Sequence, residues 1–87
     1  MALLRFIRSN LRYPRIAQDN GIHGKVYVNF IVERDGSVSN ARVINRIDPS
    51  LDNEALRVIN LLPKWKPGTQ GGKPVRVSYS VPINFVL

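Results

Sequence analysis

From Gly24 to Glu33 the chain alternates: apolar Val26, Val28, Phe30 and Val32 interleave with Tyr27, Asn29, Ile31 and Glu33. A period of two marks a half-buried strand. Asp35-Gly36 follows as a hairpin turn pair, which predicts an antiparallel return strand from Ser37 to about Asn45. Its apolar positions, Val38 and then Ala41 and Val43, slip phase once. A β-bulge near Ser39-Asn40 accounts for the slip. A third strand is written at the end of the chain, where Val75, Val77, Tyr79, Val81, Ile83, Phe85 and Leu87 share one face and Arg76, Ser78, Ser80 and Asn84 the other.

The remaining segments follow a helical period. Leu3, Phe6, Ile7 and Leu11 predict a short helix from Ala2 to about Asn10, interrupted at Tyr13-Pro14 because proline disfavours α geometry in the residue before it. Pro14 opens a second short helix that Asn20-Gly21 ends. Asp48-Pro49-Ser50 supplies a capping acceptor and a first-turn proline. Leu51, Ala55, Val58, Ile59 and Leu62 then form one apolar stripe. Pro63 closes that helix, and Pro63 to Pro74 reads as a flexible Pro/Gly-rich loop.

The order α-α-β-β-α-β predicts an α+β two-layer fold, a three-stranded antiparallel sheet in the order 2-1-3 covered by helices. The final strand lies at an edge, where Pro82 can spare its missing N–H. The shared phase of the patterns places Val26, Val28, Phe30, Val43, Leu51, Ala55, Val58, Ile59, Val77, Tyr79 and Trp65 in the core. With 87 residues there is room for one domain, read as an N-terminal helix or arm over 1–12 and a core over 13–87.

Composition narrows the chemistry. The chain has no cysteine, which removes disulfides and thiolate zinc sites. No apolar run reaches the roughly 18–20 residues of a membrane span, so any anchor or export signal is expected outside this chain. Thirteen Lys and Arg against six Asp and Glu give a net charge of +7, suited to an anionic partner or surface. Nucleic acid is disfavoured: Tyr27 and Phe30 point to opposite faces of their strand and cannot form one stacking platform, and the arginines draw no stripe. Enzyme constellations are missing. His23 is a single histidine in a polar turn, and Asp48, Asp52 and Glu54 read as helix-capping and helix-flanking groups. The glycines of Pro67-Gly68-Thr69-Gln70-Gly71-Gly72-Lys73 match no phosphate-binding spacing. No catalytic residue, metal or cofactor is expected.

A set of residues in order carries a resemblance. These are Tyr13-Pro14 with Ala17, Gly24-Lys25-Val26, Asp35-Gly36-Ser37-Val38, Leu51-Asp52 with Glu54-Ala55-Leu56, Trp65-Lys66-Pro67-Gly68 and Val81-Pro82-Ile83-Asn84-Phe85. From about Asn10 to Leu87 the chain resembles the C-terminal domain of TonB-type energy transducers. Its Gly-Lys-Pro-Val loop and Pro-Ile-Asn-Phe ending look like the versions of Bacteroidetes-type bacteria.

The resemblance implies a non-enzymatic, periplasmic binding domain attached to the inner membrane through a segment absent from this chain. Its implied partner is the Ton box peptide of TonB-dependent outer-membrane transporters, gripped by β-strand addition. Inner-membrane proton-channel partners would act through the missing N-terminal region. A same-fold domain of a membrane-bound sensor or peptidase, or of a TolA-like envelope protein, is the alternative. A long edge strand agrees with strand addition on physical grounds. The partner site is accordingly expected at Val75, Arg76, Val77, Ser78, Tyr79, Ser80 and Val81, with Asn10, Arg12 and Tyr13 alongside. Arg12, Arg76 and Lys73 are expected to steer acidic residues into it. The same edge predicts some homodimer by strand exchange.

Overall fold

The structure, a computed structural model, describes residues 2–87. Helix α1 (Ala2–Asn10) and the single-turn α2 (Arg15–Asp19) precede the hairpin of β1 (Gly24–Val32) and β2 (Val38–Val43). Helix α3 (Pro49–Asn60), two short strands β3 (Gly68–Gln70) and β4 (Lys73–Val75), and the long β5 (Val77–Phe85) complete the chain. The main sheet is antiparallel in the order β2-β1-β5, as the sequence predicts. β5 pairs with β1 over their whole lengths, from Gly24 opposite Phe85 to Val32 opposite Val77. The bulge falls where the phase slips: the β1–β2 register shifts between Asn29 and Ile31, and Asn40 takes a left-handed φ of 52°.

Local chemistry sets the ends of the elements. The Asp48 side chain accepts a hydrogen bond from the Ser50 backbone N–H at 3.0 Å and caps α3, with Pro49 in the first turn. Asp52, buried in that first turn, accepts from the Ile47 backbone N–H at 3.3 Å. At the β1–β2 turn Gly36 has φ +87°, and its carbonyl accepts from the Trp65 N–H at 2.7 Å. A side chain there would run into the Trp65 carbonyl, so the turn needs glycine for its conformation and for its space.

One face of the main sheet is covered by the helices. Val26, Val28, Phe30, Val32, Ile83 and Phe85 pack against Leu51, Ala55, Val58 and Ile59 of α3, Leu3 and Ile7 of α1, and Ala17. Trp65 is partly buried at one end of this core, its ring 6.4 Å from Phe30. Val43 and Val77 are only partly buried, and Tyr79, expected inside, is 40% exposed. Periodicity correctly puts Tyr79 on the core-facing side of β5, but the helical layer does not cover that stretch. The second correction concerns the segment before β5. It contains a hairpin, with Gly68 opposite Val75 and Gln70 opposite Lys73, turning on Gly71 and Gly72 at φ 59° and 76°. Two consecutive positive φ values make a type I′ turn, which glycine adopts without steric cost. The molecule measures 50 × 22 × 15 Å.

Candidate functional site: the open edge of the sheet

β5 is the outer strand of the main sheet on the side away from β2. Which of its backbone groups face outward follows from the ladder. On β1, the Tyr27 carbonyl accepts from the Ile44 N–H, the Tyr27 N–H donates to Asn45 and the Glu33 N–H donates to the Ser37 carbonyl. Odd-numbered β1 residues thus turn their backbone towards β2, and Val26, Val28 and Phe30 turn theirs towards β5. Their partners Ile83, Val81 and Tyr79 are consumed by that ladder. Ser78, Ser80, Pro82 and Asn84 therefore point their backbone groups out of the sheet edge. Pro82, having no N–H, occupies an outward position, which explains its place inside a nine-residue strand.

The edge is held flat from one side. The Asn29 side-chain amide donates to the Ser78 hydroxyl at 3.0 Å, the Tyr79 carbonyl at 2.9 Å and the Ser80 hydroxyl at 3.1 Å. On the core-facing side burial falls away along the strand. Phe85 and Ile83 are 1% exposed, Val81 and Val77 are half-buried, and Tyr79 lies open. The Tyr79 ring stacks on Phe30 with centroids 6.0 Å apart and lies 6.2 Å from Trp65. An apolar row thus emerges beside the outward N–H groups of Ser78 and Ser80.

The expected site residues divide into two groups that these contacts do not join. Asn10 and Arg12 are tied to α3: the Asn10 carbonyl accepts from Arg57 at 2.8 Å, and the Arg12 N–H donates to Glu54 at 2.7 Å. Arg57 above all, with that N–H, holds the Glu54 carboxyl below its ordinary range. The Tyr13 hydroxyl donates to the Ile22 carbonyl, and its ring meets Phe85 edge-on at 5.7 Å. Phe85 is the far end of β5 from Val77, about 27 Å away at roughly 3.4 Å per residue. The residues packed beside Tyr79 are Phe30 and Trp65, both placed in the core by the sequence pattern. Arg76 is engaged as well, with Nε 2.6 Å from the Glu33 carboxylate. Val75 pairs with Gly68 inside the small hairpin, and exposed Lys73 forms its turn flank.

The family described as Gram-negative bacterial TonB protein C-terminal matches residues 9–87. The chain belongs to this TonB C-terminal family. It is 43% identical to Protein TonB of Haemophilus influenzae over 88 residues, covering 99% of this chain and 31% of that protein. It is 34% identical to Protein TonB of Pseudomonas aeruginosa over 65 residues, covering 72% of this chain and 18% of the relative. The chain thus spans less than a third of these relatives. A solution structure of the Helicobacter pylori TonB C-terminal domain superposes with a TM-score of 0.75 at 32% identity, covering 97% of this chain and 76% of that one. A shorter fragment of the same domain gives 0.71, covering 99% and 90%. The TonB family is non-enzymatic.

Proposed function

We propose that this domain is the gripping end of a TonB-type energy transducer in the periplasm. It captures the Ton box of an outer-membrane transporter as a fourth strand on β5. It passes on force derived from the proton gradient, delivered through an inner-membrane segment outside this chain and the proton-channel partners bound there. The observation that carries the reading is the open edge of β5, where Ser78 and Ser80 present N–H and C=O groups outward beside the exposed Tyr79. Family membership over residues 9–87 supports it. Among the described residues no helix is long and apolar enough to cross a membrane.

The test is an NMR titration of the labelled domain with N-terminal segments of outer-membrane transporters. Shifts and slowed amide exchange at Ser78 and Ser80 are the expected result. Binding that leaves those amides unaltered would place the partner elsewhere.

A further inference from the structure

The edge of β5 does not begin at Val77. The chain runs from β4 through Arg76 into β5, and Gly68 of β3 pairs with Val75 and lies against the Val77 side chain. In a two-residue type I′ hairpin the flanking pair, here Gln70 and Lys73, is hydrogen-bonded. Pro74 is next, so its backbone faces away from β3. Val75 pairs with Gly68 and Val77 with Val32, and two residues apart on an extended chain they turn their backbone to the same side. The outward positions of the continuous edge are therefore Pro74, Arg76, Ser78, Ser80, Pro82 and Asn84. Two of them are prolines, one on each side of Arg76, Ser78 and Ser80. Each proline lacks the donor that a further strand needs, and its ring fills the place where that N–H would point.

Resting on the strand-addition reading above, we infer that Pro74 and Pro82 bracket the docking edge. They limit a partner to a ladder on Arg76–Ser80 and select a short extended segment with apolar residues at alternate positions. The alternation follows from the two faces of the edge. Side chains of an added strand on one face lie beside half-buried Val77 and Val81 and exposed Tyr79. Those on the other face lie beside Ser78 and Ser80, whose hydroxyls are already held by Asn29. Burial of apolar area on one face only rewards every second residue of the partner. The bracket also shortens the ladder that a second copy could form on this edge.

The test uses capped synthetic peptides of five, seven and nine residues that alternate valine and threonine, with one glutamate at each end. Affinity for the wild-type domain is expected to level off at five residues. The amides of Ser78 and Ser80 should become protected from hydrogen exchange while that of Asn84 stays unprotected. In Pro82→Ala the nine-residue peptide should gain about two- to tenfold over the five-residue one, the worth of one added hydrogen bond. Should that variant be unstable, the length series on the wild type decides alone. Affinity that keeps rising to nine residues in the wild type, with Asn84 protected, overturns the bracket. If transporter segments bind and no alternating peptide does, the inference fails and the transporter reading stands. If the alternating peptides bind and transporter segments do not, the transporter reading fails and the bracket stands. Peptide binding that protects neither serine overturns both.

Discussion

The Arg76 guanidinium Nε lies 2.6 Å from the Glu33 carboxylate, joining the residue after β1 to the residue before β5. This pair fastens the end of the sheet where the small hairpin departs. The Arg76 hydrogen bond first, and the Ser39 hydroxyl second, hold the Glu33 carboxyl below its ordinary 4.5. A depressed carboxylate contributes stability that is complete above its unfolded value and is lost as pH falls through the folded one. Glu33→Gln should therefore be less stable than wild type at pH 7, and the difference should shrink as pH drops below 4.5. Denaturant melts across that range check it; a constant difference would mean the pair is not the cause.

Gly36→Ala should destabilise the fold by more than about 2 kcal/mol, combining left-handed strain with overpacking. The new methyl group meets the Trp65 carbonyl, and the Gly36–Trp65 hydrogen bond must lengthen or break. The indole should move with it, so the readout is tryptophan emission recorded along a thermal melt. Emission and Tm both matching wild type would contradict the tight approach.

Ile59 is fully buried on the inner face of α3. Truncation to alanine should cost roughly 2–5 kcal/mol, a large share of what a domain of this size possesses. Equilibrium unfolding in urea measures it; a loss under 1 kcal/mol, on the order of a surface change, would refute the assigned packing.

Ser78→Pro should separate binding from folding. The Ser78 N–H faces out of the sheet, so the ladder to β1 keeps its bonds while one docking donor disappears. Peptide affinity should drop about two- to tenfold, with a smaller change in Tm than Gly36→Ala produces. Calorimetric titration and a thermal melt on the same sample distinguish these effects, and a collapse of the fold would show that the N–H belongs to the ladder.

Some strand-exchanged dimer is expected at high concentration, receding when a Ton box peptide occupies the edge. Arg76 opposes it less than its charge suggests, because Glu33 neutralises that charge locally. Sedimentation with and without peptide decides; a dimer that peptide leaves unchanged uses another surface.

The sheet was legible because each strand carries its own period and the hairpin its Asp35-Gly36 turn. Even the bulge at Asn40 left a trace, as the slipped phase of Val38 and Ala41. Coverage was not legible. Alternation shows that Tyr79 and Phe85 share a face, but burial depends on how far α1 and α3 reach, and that is a tertiary property. The β3–β4 hairpin was missed for a different reason. Its strands are too short for a period, and the surviving signal, the Gly71-Gly72 pair, was read as flexibility instead of a two-residue turn. Of the site, the edge could be inferred from Pro82 and the resemblance. The parity that turns Ser78 and Ser80 outward required the hydrogen bonds of Tyr27 and Glu33.

The Asn29 amide, spanning three acceptors on β5, has a kinetic consequence. Edge strands usually fray, and a newcomer must wait for them to straighten. On the strand-addition proposal, the straightening precedes docking, so an arriving strand would meet a finished rail. Only the newcomer's own disorder is left to be lost on contact. The encounter should then be governed by collision and alignment, with residence time, rather than arrival, distinguishing one partner from another.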